Sequence, residues 1–100
     1  MCSSDLSFDA PTAQSLGLVN WVVPAAHLAA ETARIAQRLA SGPTFTYGET
    51  KALLSQAFES SLETQLEAET QAFARCAATE DLREGVTAFV EKRKPVFRGR

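Results

Sequence analysis

Ala78-Thr79-Glu80-Asp81-Leu82-Arg83-Glu84-Gly85-Val86-Thr87-Ala88-Phe89-Val90-Glu91-Lys92-Arg93-Lys94-Pro95-Val96-Phe97-Arg98-Gly99-Arg100 carries the clearest structural signals in the chain. Its first half is written as a capped helix. Thr79 is a capping residue type, because its hydroxyl can accept from a free amide of the first turn. Glu80 and Asp81 follow, where the helix dipole favours anions. Leu82, Val86, Phe89 and Val90 recur at three- and four-residue steps and form one apolar face. Lys92-Arg93-Lys94 come at the end, where cations are favoured, and Pro95 stops the element.

The same signals recur upstream. Thr44 to Phe58 reads as a helix with Tyr47, Thr50, Leu53, Leu54, Ala57 and Phe58 on its apolar side. Gly48 weakens it by about 1 kcal/mol relative to alanine, so a packing reason is expected there. Ser60-Ser61-Leu62-Glu63 matches a Ser-x-x-Glu capping box. A third helix follows to about Ala77, with Leu62, Leu66, Phe73 and Ala77 as a narrow stripe. Before these, residues 25–41 carry Leu28, Thr32, Ile35, Ala36 and Leu39 at helical spacing, and Ser41-Gly42-Pro43 breaks the pattern. Leu18-Val19-Asn20-Trp21-Val22-Val23 is β-branched and apolar and reads as an extended segment, ended by Pro24. Residues 7–15 read as a short helical turn, with Asp9 and Thr12 as capping types, Pro11 in the first turn and Gly17 at its end. The fold class is mainly α: about four helices with one short extended segment. The stripes are narrow, so these helices need each other or a further body to pack on.

Bulk properties bound the function. A chain of 100 residues is one small domain at most. With 45% hydrophobic and 22% charged residues, it lacks the composition of a disordered chain. The formal net charge of -2 provides no basic field for nucleic acid or an anionic membrane. No apolar run approaches the roughly 20 residues that span a bilayer. Cys2 and Cys76 are far apart and His27 is the only histidine, which gives neither a disulfide framework nor a metal site and points to a reduced, cytoplasmic setting. Met1-Cys2-Ser3-Ser4-Asp5-Leu6 has no periodicity. Cys-Ser-Ser-Asp-Leu is also the translated end of a common sequencing adapter. Residues 1–6 are therefore expected to be a foreign tail, with a short disordered N-terminus as the alternative, and residues 7–100 the helical segment proper.

Two stretches resemble the enoyl-CoA hydratase/isomerase (crotonase) family. Leu16-Gly17-Leu18-Val19-Asn20-Trp21-Val22-Val23-Pro24 is similar to the family's Gly-Leu-Val-(Asn)-x-Val-Val-Pro. The stretch from Ala78 to Arg100 resembles its closing signature, Thr-Glu-Asp-x-x-Glu-Gly-x-x-Ala-Phe-x-Glu-Lys-Arg-x-Pro-x-Phe. Ser41-Gly42-Pro43 and Lys51 fit the family's pattern between them. The resemblance implies the C-terminal helical part of a crotonase-type α/β spiral fold. In that family an oxyanion hole and one or two glutamates, both in the N-terminal core, carry the chemistry. The matching segments are not in this chain, so the resemblance implies no catalytic residue here and no activity of the chain alone. The parent reaction it implies is hydration of a 2-enoyl-CoA or migration of its double bond. Acyl-CoA would be substrate, with no cofactor. The C-terminal helices would make subunit contacts in a homo-oligomer, a trimer or a dimer of trimers.

The resemblance also implies CoA-binding roles for Phe89 and Lys92, whose counterparts reach the CoA nucleotide, often beside an adjacent subunit. Residues three apart share a helix face, an aromatic ring can cover adenine, and an ammonium suits a phosphate as a point charge. The alternative is a core Phe89 and a Lys92 that serves only the helix end. Arg93 and Lys94 either join that anionic site or form a solvated helix end. Glu63, Glu67, Glu69, Glu80 and Glu84 read as exposed charge, capping or subunit contacts, since carboxylate catalysis needs a shielded pocket. Cys76 reads as a small buried hydrophobe, His27 as a surface residue and Trp21 as a core-packing residue, with the acyl pocket or a subunit contact as its alternatives. A function of another class remains open, that of a free-standing helical interaction module.

Overall fold

Residues 7–100 are described by the structure, a computed structural model; the expected foreign tail lies outside the described residues. Among the described residues five α-helices follow in order: α1 (Ala10–Ser15), α2 (Leu28–Ala40), α3 (Thr44–Gln56), α4 (Leu62–Ala77) and α5 (Glu80–Val90). A 3-10 turn at Ala25–His27 leads into α2. No strand forms among them, and residues 18–23 are irregular backbone that joins no ladder. The architecture is the helical one expected, with the N-terminal turn as a fifth helix. The backbone divides into two units, one up to Arg34 and one from Ile35 to Arg100.

In the first unit, α1 is short and closed at both ends. The Thr12 amide donates to Asp9 Oδ1 at 2.9 Å. At the other end, the Gly17 amide donates to the Gln14 carbonyl and the Leu18 amide to that of Ala13. This is a Schellman motif, whose C′ residue must be left-handed; Gly17 adopts φ +73° there without a side-chain penalty. Gln14 Nε2 reaches the Asn20 carbonyl at 3.2 Å and ties α1 to the segment after it. Trp21 is 68% exposed, so within this chain it is not the packing residue expected. His27 is exposed, as expected.

In the second unit, α3 and α4 form an antiparallel hairpin. Gln65, early in α4, reaches the Leu53 carbonyl late in α3, and Arg75, late in α4, grips Glu49 near the middle of α3. The Arg75 guanidinium is bidentate, at 3.0 Å and 2.6 Å. The cap of α4 is Ser61, not Ser60: the Thr64 amide donates to Ser61 Oγ at 3.2 Å. The capping box therefore sits one residue later than its motif, with Thr64 rather than Glu63 at its third position. Within this chain a side chain at Gly48 would meet nothing within 4 Å, so the expected packing reason is absent here. Thr79 caps α5, accepting from the Leu82 amide at 3.1 Å.

Beyond α5 the chain turns and runs back along that helix. Glu84 accepts from the Val96 amide at 2.8 Å. Asp81 accepts from the Arg98 and Gly99 amides at 2.7 Å and 2.8 Å. The Asp81 amide donates in turn to the Arg100 carbonyl, so one free donor of the helix start is satisfied by the tail. Gly99 needs no side chain here: φ is +74°, and a Cβ would collide with Thr44.

Among the described residues no core of large side chains forms, and those buried are Ala72, Ala88 and Asp81. Phe58, Phe73, Phe89 and Val90 are all exposed. Cys76 is half-buried, beside Leu53, Ala72, Phe73 and Leu82. The narrow stripes thus leave most of their apolar surface open.

Candidate functional site

The turn after α5 gathers the residues singled out at the end of the sequence. Phe89 lies in the last turn of the helix and is 85% exposed, so it is not a core residue of this chain. With Leu82, Val86, Pro43, Thr46 and Phe97 it lines an apolar groove of about 380 Å³. Lys92 is not on the helix face that three-residue spacing implies. The helix ends at Val90, Glu91 is its C-cap, and Lys92 follows in the left-handed conformation with φ +54°. Its amide donates to the Phe89 carbonyl at 3.2 Å and the Arg93 amide to the Ala88 carbonyl at 3.0 Å. Phe89 and Lys92 are therefore linked by a Schellman turn. That position ordinarily takes glycine, and a residue with a Cβ costs on the order of 1–2 kcal/mol there. Among the described residues, Lys92 is the only non-glycine with a positive φ.

The residues on either side of Lys92 are bound to each other. Arg93 Nε donates to Glu91 Oε2 at 2.6 Å. The same guanidinium forks onto Glu84, at 2.6 Å to Oε1 and 2.9 Å to Oε2. Arg93 therefore serves neighbouring carboxylates rather than joining Lys92 as a free cation. The Arg93 guanidinium, and after it the Val96 amide, hold the Glu84 carboxyl far below its ordinary 4.5, at about 2. Glu84 in turn, then Glu91, hold Arg93 more firmly charged than usual. Lys92 is exposed and makes no ion pair among the described residues.

Position along the helix relates Asp81 to the dipole and Glu84 to exposed charge or capping, and gives no sign of their hold on the tail. Each side-chain partner lies nine or more residues away, across a turn whose geometry no helical or strand period encodes. The signals present were Pro95, which forces the chain off the helix, and Gly99. No carboxylate here is free and shielded as a general acid or base requires: buried Asp81 has both oxygens on backbone amides. Among the described residues no cluster of three His, Cys, Asp or Glu side chains assembles to hold a metal ion. No helix of those residues is long and apolar enough to cross a membrane.

Comparison with known proteins places this geometry. The family model for enoyl-CoA hydratase/isomerase matches residues 1–100. Crotonyl-CoA hydratase of Syntrophomonas wolfei is 37% identical over 89 residues, 89% of this chain and 34% of that protein. The 2,3-dehydroadipyl-CoA hydratase of Escherichia coli is 37% identical over 100 residues, 100% of this chain and 39% of that protein. The crystal structure of a protein from Mycobacterium abscessus described as an enoyl-CoA hydratase/isomerase superposes with a TM-score of 0.90 at 43% identity, covering 93% of this chain and 36% of that one. The chain thus spans about a third of the length of the relatives it matches. Five helices without a strand among the described residues correspond to the helical C-terminal part of the crotonase fold. On sequence and backbone alike, this chain belongs to the enoyl-CoA hydratase/isomerase family.

Proposed function

We propose that this chain is the C-terminal helical segment of an acyl-CoA hydratase or isomerase, that it supplies subunit contacts and part of the CoA nucleotide site, and that it turns over nothing by itself. The observation that carries the reading is the pair of Phe89 and Lys92 at the end of α5. An exposed ring is joined through one turn to an exposed ammonium, on a backbone whose strain needs a reason. The ring offers adenine a stacking face. The ammonium offers a phosphate a compact charge, with the nearby carboxylates of Glu84 and Glu91 already occupied by Arg93. Relatives named for different acyl groups share this segment, which suits a part that holds CoA and leaves acyl recognition elsewhere. The open stripes of α4 and α5 suit contacts with another part of the enzyme or with a neighbouring subunit.

In the intact enzyme, water would add to a 2-enoyl thioester, or its double bond would migrate, through an enolate stabilised by an oxyanion hole. Electrostatic stabilisation of that enolate contributes most of the rate enhancement in such catalysis. The reading of inactivity is supported by the buried carboxylate of Asp81, both of whose oxygens are taken by backbone amides. Two measurements test the proposal. The purified chain is expected to leave crotonyl-CoA unhydrated, and turnover by uncontaminated protein overturns the claim of inactivity. In a nuclear magnetic resonance titration, CoA is expected to perturb Phe89 to Arg93, and Lys92→Ala to weaken that binding about 5-fold, the worth of an exposed ion pair of about 1 kcal/mol. No perturbation of the turn by CoA removes the nucleotide-site reading.

A further inference from the structure

We infer that Glu84 and Arg93 form a positioning pair that presets Lys92 in its left-handed conformation and, with Arg93 occupying Glu84 and Glu91, keeps those carboxylates off its ammonium. This rests on reading Lys92 as a contact for a CoA phosphate, and it identifies what holds that contact in place. Lys92 sits between two residues whose side chains are joined: Glu91 and Arg93 pair at 2.6 Å across it. Arg93 is anchored a second time, by the fork onto Glu84 two turns back in α5. Glu84 also holds the chain on the far side of the turn, through the Val96 amide at 2.8 Å. One carboxylate therefore fixes residues 93 and 96 against α5, and the backbone joins Val90 to Arg93 by the tight turn through Lys92. A strained φ persists only where the surroundings over-determine it, and these contacts supply that condition. The pair acts a second way: Arg93 occupies both Glu84 and Glu91, which would otherwise attract the Lys92 ammonium.

The experiment uses the full chain, with Glu84→Gln and Arg93→Lys. Glutamine keeps an acceptor for Val96 but loses the charged fork; lysine keeps the charge but cannot make the fork. The first readout needs no ligand: the carbon shifts and amide–Hα coupling of Lys92 report whether its φ is positive. Both variants are expected to lose the left-handed signature while α4 keeps its amide protection. Retention of that signature in both overturns the inference. The second readout compares CoA with adenosine, which has the base but no phosphate. Glu84→Gln is expected to reduce the preference for CoA over adenosine about 5-fold, the worth of one exposed charge pair, and to leave adenosine binding unchanged. Equal weakening of both probes marks a merely structural role and overturns the inference. A wild-type chain whose turn ignores CoA while the variants lose the signature refutes the nucleotide-site reading and leaves the pair as the support of the turn.

Discussion

At residue 92 the backbone favours a glycine, whereas the proposed CoA contact needs the lysine. At φ +54° a Cβ is a burden, and glycine would carry none. Lys92→Gly is expected to stabilise the turn by up to about 1 kcal/mol, reduced by the extra freedom glycine has when unfolded. The same change is expected to abolish the response of the turn to CoA. A higher urea midpoint with a lost CoA response bears this out; lower stability would show that the lysine side chain supports the turn. Glu84 gives a pH prediction. Its folded value of about 2 lies below the ordinary 4.5. The stability it contributes is therefore complete above 4.5 and is lost as pH falls from there through about 2. The Val96 amide is expected to lose hydrogen-exchange protection in that window, and Glu84→Gln to remove the pH dependence. Gly48 is the converse case. A Cβ there meets open space, so Gly48→Ala is expected to stabilise α3 by about 1 kcal/mol in this chain. Destabilisation in thermal unfolding would mean that a Cβ there meets a neighbour within the chain.

Between elements, caps and forks matter more than buried bulk. The start of α4 is a sharp case, because Ser60 and Ser61 are both capping types and only one of them can sit at the N-cap. Ser61→Ala is expected to cost about 1 kcal/mol and Ser60→Ala only a few tenths. The opposite order in thermal unfolding would put the box where its motif placed it. The α3–α4 hairpin is pinned by Glu49 and Arg75, whose fork holds the Glu49 carboxyl below its usual range. The tail is pinned to α5 by Asp81 and Glu84. Both links connect residues far apart in sequence, 26 positions in the first case. No helical period therefore points to them, whereas the helices themselves, written in three- and four-residue steps, are readable from the sequence.

Taken together, the described residues form helices that share no core of large side chains. Their buried apolar residues are two alanines, while the rings of Phe58, Phe73 and Phe89 stand open. Open apolar surface of this kind marks a contact face or an aggregation liability. The purified chain is expected to bind a hydrophobic dye and to self-associate as its concentration rises. A chain that stays monodisperse as its concentration rises and binds no dye would favour the free-standing interaction module instead.

Short-range signals in the sequence are enough for four helices and a helical turn before them, for caps such as Asp9 and Thr79, and for a closing signature specific enough to name a family. They are enough because hydrogen bonds within a helix join residues four apart, and capping residues lie within a turn of what they cap. The tertiary structure alone decided which serine caps α4, where α5 ends, and that Lys92 lies beyond the helix in a left-handed turn. It alone showed that Asp81, Glu84 and Arg93 hold the tail, because those contacts depend on the path of the chain through space, which no spacing along it records.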